Sequence, residues 1–181
     1  SGRSCDLKAT NLNWEALLLS CAGTSALADA LDAFVQSLQA VGRFCYYVIG
    51  YRPMTAAEAD SAYQTAVSTE FSSVADSTGY IVAGSVLQSS SVPQQRNKYV
   101  RSPAGAVAAL SNSLAAHISA AQPIASNVLP SLSLTDTNGN LASRVHDEYL
   151  NPGLDDAGFT TVRSWPRNAG VWVTLPRMHC A

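Results

Sequence analysis

The most constraining feature of the sequence is an apolar helix pattern that leads directly into an unbroken apolar strand, between residues 26 and 52. Residues 44–51 are almost entirely apolar, which predicts a strand buried on both faces. Such a strand needs cover on both sides, as in the parallel sheets of α/β proteins. Thr24 or Ser25 is expected to cap the helix, and Gly42 to end it in the left-handed conformation. The helix carries one apolar stripe at spacings of three and four residues, formed by Leu27, Leu31, Phe34, Leu38 and Val41.

Elements on either side extend this unit to a β-α-β-α-β order. Residues 14–22 fit a short helix or a buried strand, and the turn-forming residues 23–25 favour the strand. A second helix is predicted from Thr55, because Glu58 follows this cap at the spacing of a capping box. Residues 79–87 predict a third apolar strand. Crossovers between parallel strands are right-handed in nearly all proteins, so one topology is favoured.

The C-terminal half predicts antiparallel structure. Residues 96–102 are expected to form an edge strand, and Pro103 to open a third helix. Residues 129–134 alternate apolar and polar and lead into a turn at 136–139, whereas strands at 159–165 and 170–175 should form a hairpin. The predicted fold class is α/β, as a three-layer or two-layer sandwich with a mixed, partly parallel sheet and an antiparallel C-terminal hairpin.

One domain is expected over residues 14–181, with room for a hairpin insertion at 122–146. Residues 1–13 are polar and poorly patterned and begin without methionine, so we expect a disordered or processed N-terminus there. The status of residues 14–22 as helix or strand stays open at this point.

Charge and composition limit the classes of binding partner that the chain is expected to have. Charged residues make up 13% of the chain and the net charge is −2, against roughly a quarter charged residues in typical domains. A neutral polar surface suits burial against other protein. The chain has no cluster of basic residues, which argues against nucleic acid or an anionic membrane as the main partner. Its apolar runs are shorter than the roughly 20 residues that cross a bilayer, so the sequence predicts a protein made in the cytoplasm.

The sequence offers few catalytic or metal-binding patterns. The cysteines, Cys5, Cys21, Cys45 and Cys180, are scattered, so buried free thiols are favoured over disulfides or zinc. The turn at 136–139 lacks the further ligands of a calcium loop and is interpreted as a hairpin turn. The Gly-x-Ser-x-Gly, Gly-x-Gly-x-x-Gly and Walker patterns are absent. We therefore predict no catalytic, cofactor-binding or metal-ligating residue.

Two other local patterns have simple structural interpretations. Residues 22–25, at the strand-to-helix turn, could present N–H groups to an anion, but a helix cap explains them better. His146, Asp147 and Glu148 are consecutive, and neighbours in sequence do not converge on one point in a helix or strand. A solvated surface segment is therefore the prediction for these three residues.

Four segments together resemble the contractile-phage tail sheath proteins. Residues 151–163 followed by 170–175 are similar to that family's strand unit and its "Gly-Val-x-Val" strand. Residues 79–87 resemble its apolar strand before an "Ala-Gly" segment, and residues 99–105 its "Pro-Ala-Gly" passage. The resemblance covers about residues 14–175. It implies a structural subunit without catalytic residues, whose terminal arms add strands to the sheets of neighbouring copies.

Three function hypotheses follow. The first is a sheath subunit of a contractile phage tail or related injection machine, located in the virion after assembly in the host cytoplasm. Its expected partners are copies of itself, the tail tube protein, and baseplate and tail terminator proteins. The sequence stops at Ala181, where the family continues into a tube-facing region, so a fragment is expected.

The second hypothesis is a small α/β hydrolase that uses Ser85 or Cys45 with one of the histidines, His117, His146 or His179. The third is a binding or adhesion module that uses the loops around Asn138 and Asn151. A convergent pocket of titratable groups would favour the hydrolase, and a groove lined by tryptophan would favour the binding module.

Overall fold

A parallel three-stranded sheet with a helical layer on one face organises the chain. The computed structural model describes residues 16–74, 77–89, 98–115, 128–129, 132–136, 138–165 and 168–174. The predictions for residues 1–13, Cys5, His117, His179 and Cys180 lie outside these residues. The helices and strands are β1 Ala16–Ala22, α1 Ser25–Gln39, β2 Tyr46–Gly50, α2 Asp60–Glu70, β3 Gly79–Val82, β4 Val86–Ser89, β5 Lys98–Arg101, α3 Ala104–Ala115, β6 Val128–Leu129, β7 Leu132–Ser133, β8 Val162–Trp165 and β9 Asn168–Val173.

The predicted β-α-β-α-β unit is confirmed. Strands β1, β2 and β3 pair in parallel and in sequence order. When two crossovers have the same handedness and connect neighbouring strands in sequence order, both connecting helices lie on the same face of the sheet. Accordingly, α1 and α2 share one apolar cluster with the strand side chains Tyr47, Ile49 and Ile81. Residues 14–22 contain the favoured strand, β1.

The opposite face of the parallel sheet is covered by α3 and two small antiparallel sheets. Val48, Tyr80 and Val82 of the parallel strands join a second apolar cluster there, with residues of α3 and of the antiparallel strands. One antiparallel sheet has the order β5-β4-β7, and the other has the order β6-β9-β8. The fold is therefore α/β, with parallel and antiparallel strands and a sheet covered on both faces. The predicted C-terminal hairpin is confirmed as β8 and β9.

The boundaries of the first helix and strand differ from the prediction. Thr24 caps α1, since its hydroxyl oxygen accepts a hydrogen bond from the Leu27 N–H at 3.4 Å, and Gly42 adopts φ +77°, both as predicted. However, α1 ends at Gln39 and β2 begins at Tyr46. Val41 and Phe44, placed by sequence on the buried stripe and in the buried strand, are instead 70% and 78% exposed.

The second helix begins later than predicted. Glu58 accepts hydrogen bonds from the Thr55 N–H at 2.8 Å and the Thr55 hydroxyl at 3.1 Å, so the expected contact exists. Ala57 has φ +66°, which is incompatible with a right-handed helix. The Thr55–Glu58 contact therefore closes a turn ahead of α2, which starts at Asp60.

The single strand predicted over residues 79–87 is wrong. It divides into β3 and β4, which belong to different sheets. Gly84 adopts φ +99° between them, a conformation that side chains other than glycine rarely take. The Tyr63 hydroxyl accepts a hydrogen bond from the Gly84 N–H at 3.0 Å. This contact fixes the bend that carries the chain from the parallel sheet to the antiparallel one.

The alternating segment at 129–134 also serves two sheets, because β6 pairs with β9 while β7 pairs with β4. It is thus not one strand of a local hairpin. The predicted turn is present: Asp136 Oδ1 accepts hydrogen bonds from the Asn138 and Asn140 N–H groups at 2.8 and 3.0 Å. Thr135 and Leu141 form an antiparallel bridge across it. Residues 122–127 lie outside the described part of the chain.

Candidate functional site

The described structure contains a buried histidine held between two carboxylates. His146 Nδ1 lies 2.6 Å from Asp60 Oδ1, and His146 Nε2 lies 2.8 Å from Glu148 Oε2. Asn151 Nδ2 donates to the second Asp60 oxygen at 2.6 Å. The His146 side chain is completely buried. We call Asp60, His146, Glu148 and Asn151 the His146 cluster.

The same cluster fixes the loop that follows it. Glu148 accepts hydrogen bonds from three backbone N–H groups, those of Gly153 at 2.7 Å, Leu154 at 3.3 Å and Asp155 at 3.0 Å. The Glu148 N–H in turn donates to the Val162 carbonyl at 3.1 Å, beside β8. The Glu148 carboxylate therefore joins the loop to the histidine, and the Glu148 backbone joins both to the antiparallel sheet.

The electrostatics of the cluster favour a protonated histidine. Burial by itself lowers the pKa of His146, but hydrogen bonds and charges from Asp60 and Glu148 outweigh burial and raise this pKa to about 9. Burial raises the pKa of Glu148, whereas the hydrogen bonds from His146 and from the Gly153 and Asp155 N–H groups lower it by more. At neutral pH the cluster is thus an ion pair with both ring nitrogens donating.

The sequence interpretation of residues 146–148 as a solvated surface was wrong. His146, Asp147 and Glu148 are all buried. The backbone at 146–148 is irregular and runs beside β8, so the side chains of His146 and Glu148 reach the same point. Asp147 instead accepts hydrogen bonds from the Tyr149 and Ser164 N–H groups. The sequence feature that could have indicated this cluster is the position of three titratable residues next to the Asn-Pro-Gly turn at 151–153.

Of the hydrolase candidates, the described ones, Ser85, Cys45 and His146, form no nucleophile–base hydrogen bond with one another. Ser85 is fully buried, and its hydroxyl oxygen accepts a hydrogen bond from the Met54 N–H at 2.8 Å. Both nitrogens of His146 are bound to carboxylates and unavailable as a base. Burial raises the pKa of the half-buried Cys45 thiol, more than Arg43 lowers it, so the reactive thiolate is disfavoured.

The cysteine prediction holds only in part. Cys21 and Cys45 are free thiols, but Cys21 is exposed and Cys45 half-buried. Cys21 lies in β1. Within the described ranges, no three His, Cys, Asp or Glu side chains are grouped to hold a metal ion.

The strand-to-helix turn at residues 22–25 already holds an anionic group of the chain itself. Glu70 Oε1 accepts hydrogen bonds from the Ser25 N–H at 3.0 Å and the Ser25 hydroxyl at 3.3 Å. This carboxylate occupies the position at the α1 N-terminus that favours negative charge. The helix-cap interpretation agrees with these contacts.

The outer edge of β1 is one of the two edges of the parallel sheet. β1 pairs with β2 on one side, and in the described residues no strand pairs with its other side. The strand is seven residues long and carries no charge. Leu18 is 49% exposed, although Leu17 and Leu19 pack against the core. We call the unpaired side of Ala16–Ala22 the β1 edge.

A cleft of about 400 Å³ adjoins the β1 edge at the carboxyl ends of β1 and β2. Its walls include Leu18, Cys21, Arg52, Val100 and Arg101. Arg52 is committed to a two-bond ion pair with Glu58, at 2.9 and 2.7 Å.

In comparison with known proteins, no family model matches the chain and no curated protein matches it. Of the described helices, none combines the length and hydropathy needed to span a membrane.

Proposed function

We propose that this chain is a structural subunit of a contractile phage tail sheath or a related contractile injection machine, and that it acts by self-assembly. The observation that carries this proposal is the β1 edge. An edge strand presents unpaired N–H and C=O groups that can pair with another chain, and folded proteins usually block long edges with charges, proline or bulges. The pairing of β1 with β2 is irregular between Leu19 and Ala22, so the regular and uncharged part of the edge that is suited to accept a strand is Ala16 to Leu19.

The edge of another sheet in this molecule provides an internal contrast. β5 is four residues long and carries Lys98 and Arg101, the kind of charge that discourages edge-to-edge pairing. β1 carries none, and its third residue, Leu18, is half exposed. This difference supports β1 as the edge that accepts a strand from another subunit.

The buried polar groups support a framework role. In the His146 cluster both ring nitrogens and the Glu148 carboxylate are fully engaged within the chain. Such a network fixes a loop in place and leaves no group free for proton transfer with a substrate. Copies of the chain would be the main partners, with the tail tube, baseplate and tail terminator proteins as further partners.

Electron microscopy and sedimentation velocity of the chain test this proposal. Rings, tubes or larger oligomers are expected for the wild type. Leu18→Lys places a charge on the β1 edge and should reduce assembly at least tenfold, since strand pairing is blocked by edge lysines. Tyr99→Lys, at an exposed position of β5, is the matched control and should assemble as the wild type does.

Two results would contradict the proposal. One is a wild-type chain that stays monomeric at high concentration and shows turnover of ester substrates. The other is Leu18→Lys assembling as well as Tyr99→Lys does, which would mean that the β1 edge is not the assembly surface.

A further inference from the structure

The cleft at the carboxyl ends of β1 and β2 combines apolar walls with positive charge. Its volume of about 400 Å³ is typical of small-molecule sites, and α/β proteins bind ligands outside the carboxyl ends of their parallel strands. Leu18, Pro53 and Val100 contribute apolar surface. Among the described residues that line the cleft, Arg52 and Arg101 are charged and none is acidic. The walls themselves therefore carry only positive charge.

The two arginines differ in the charge that each leaves to attract a ligand. Arg52 pairs with Glu58 at 2.7 Å, and Glu58 is not among the lining residues. Arg101 is exposed and forms no ion pair with a described carboxylate. Its guanidinium carbon lies 5.6 Å from the centre of the Tyr99 ring. Since a guanidinium keeps its charge and pairs with oxyanions through parallel hydrogen bonds, Arg101 is the uncompensated cation of the cleft.

The start of α3 lies against the same cleft and adds hydrogen-bond donors. Gly50 permits this close packing, because a Cβ atom there would lie 2.6 Å from Ser102 Oγ and 2.7 Å from Ala104 Cβ. Ser102 Oγ accepts a hydrogen bond from the Ala104 N–H at 3.3 Å. The Ser102 hydroxyl proton has no acceptor among the described residues. Ser102 therefore holds the first turn of α3 and still has a proton to donate to a ligand.

Gly105, in that first turn, leaves open space beside the helix. Apart from its own helical turn, no described atom lies within 4 Å of the position that a Cβ atom would occupy there. Gly105 is exposed and lines the cleft. Because the first N–H groups of a helix have no partner within the helix, they favour negative charge. The helix start thus adds partial positive charge to the full charge of Arg101.

We propose that this cleft binds a small phosphate monoester with an apolar organic group. A phosphate group carries close to two negative charges and three acceptor oxygens, which match the guanidinium of Arg101, the hydroxyl of Ser102 and the N–H of Gly105. A carboxylate has one charge and two oxygens, so it matches these three donors less well. The apolar walls contact the organic group of the ester. One copy of the chain contains every residue of the cleft, so this inference does not depend on self-assembly.

Isothermal titration calorimetry of the chain with phenyl phosphate at low salt tests the proposal. We expect saturable binding at one site. Inorganic phosphate should bind about tenfold more weakly, because it has no apolar group to bury. Phenol has the ring without the charge, and it should show no saturable binding.

Arg101→Gln should weaken phenyl phosphate binding about tenfold, because it removes the charge-assisted hydrogen bonds of the guanidinium. Lys98→Gln is the matched control. It removes the same charge from the same strand, β5, at a position that does not line the cleft, so it should bind phenyl phosphate as the wild type does.

Gly105→Asp separates binding from folding. A carboxylate in the first turn favours the helix, and aspartate has a higher helix propensity than glycine, so the thermal unfolding midpoint should equal or exceed that of the wild type. The same carboxylate repels phosphate, and the affinity for phenyl phosphate should fall about tenfold. Gly105→Ala adds only a methyl group in open space and should bind as the wild type does.

The exposed thiol of Cys21 reports whether the ligand occupies this cleft, since Cys21 lines it. Saturating phenyl phosphate should slow the alkylation of Cys21 by iodoacetamide, a neutral reagent, severalfold. Mass spectrometry of the digested protein measures this rate. The half-buried Cys45 does not line the cleft, and its alkylation rate should not change.

Four results would overturn the proposal. The first is a wild type without saturable phenyl phosphate binding. The second is Arg101→Gln binding as tightly as Lys98→Gln, because the cleft charge would then play no part. The third is Cys21 alkylation that phenyl phosphate leaves unchanged, which would place the ligand elsewhere. The fourth is phenol or inorganic phosphate binding as tightly as phenyl phosphate, since the site would then recognise only the ring or only the ion. A monomeric wild type that binds phenyl phosphate overturns self-assembly alone.

Discussion

Two buried carboxylate clusters lie near the parallel sheet, and they stabilise the protein in different ways. In the first, Asp32 of α1 accepts hydrogen bonds from the Tyr47 hydroxyl at 3.0 Å, the Thr78 N–H at 2.8 Å and the Thr78 hydroxyl at 2.7 Å. Ser77 joins through the Tyr47 hydroxyl at 2.6 Å. We call Asp32, Tyr47, Ser77 and Thr78 the Asp32 cluster. The second is the His146 cluster, whose central group is a titrating cation.

The difference lies in what surrounds each carboxylate. The donors to Asp32 are hydroxyl and backbone groups that keep their protons near neutral pH, and burial together with Asp32 raises the pKa of Tyr47 despite the opposing effect of Ser77. Asp60 and Glu148 are instead bound to a histidine. A neutral-donor cluster fixes structure over a wide pH range, whereas an ion-pair cluster makes stability depend on pH.

The largest expected effect is the loss of Glu148. Glu148→Ala removes the acceptor of His146 Nε2 and of the three loop N–H groups, and leaves a buried cation with one fewer partner. Breaking a buried ion pair costs about 3–5 kcal/mol, so the free energy of unfolding in urea should fall by about that amount. Glu148→Gln keeps one acceptor oxygen and should lose less; an equal or larger loss would contradict this account.

Raising the pH should destabilise the protein through His146. The pKa of His146 is about 9 when folded and about 6.5 when unfolded. The contribution of His146 to the free energy of unfolding is therefore complete below a pH of about 6.5 and is lost as the pH rises to about 9. The total is roughly 3 kcal/mol, because each unit of pKa difference corresponds to about 1.4 kcal/mol. Urea unfolding across this range measures it.

His146→Gln should flatten that pH dependence, while Asp32→Asn should preserve it. A wild-type free energy of unfolding that rises between neutral pH and pH of about 9 would show that His146 is not held as a cation.

The next largest decrease in the free energy of unfolding is expected for Asp32→Asn. The amide keeps one acceptor oxygen but turns an NH₂ group towards one of the donors, so the free energy of unfolding should fall by about 1–3 kcal/mol. Asp29→Asn, on an exposed part of the same helix, is the matched control and should change it by about 0.5 kcal/mol or less. Equal losses in the two variants would refute a role for the Asp32 cluster.

The smallest effect is expected at the partly exposed pair of Arg52 and Glu58. Hydrogen bonds from Arg52 lower the pKa of Glu58 to about 2, despite an opposing effect of burial. The Arg52 side chain is about one third exposed, so screening limits the pair to about 1 kcal/mol. Glu58→Gln should lower the free energy of unfolding by that small amount at low salt and by less at high salt. A decrease as large as that caused by Glu148→Ala would contradict the distinction between surface and buried ion pairs.

The local patterns in the sequence predicted the helical and parallel parts of the fold well. Apolar spacing located α1, β1 and β2, and the turn residues located the Thr24 cap and Gly42. These features depend on neighbours within about one helical turn, so local chemistry decides them. The same reasoning failed at Ala83 to Ser85, because the apolar run continues there while the chain changes sheet.

The polar clusters were not predictable in this way. Asp60 and His146 are 86 positions apart in the sequence, and Asp32 and Thr78 are 46 positions apart. No local sequence pattern links the members of either pair. Val128, Arg163 and Trp172 are similarly brought into one row only by the register of three strands. Each group depends on side chains that meet only after the sheets have paired.

By itself, the sequence determined the alternation of helices and strands, the low surface charge and the parallel core, because burial of apolar side chains follows local periodicity. The tertiary structure decided which carboxylates are buried with a histidine, and which strand edge stays uncharged and unpaired in the described residues. These properties depend on distances between remote residues, which strand pairing and helix packing fix and sequence spacing does not.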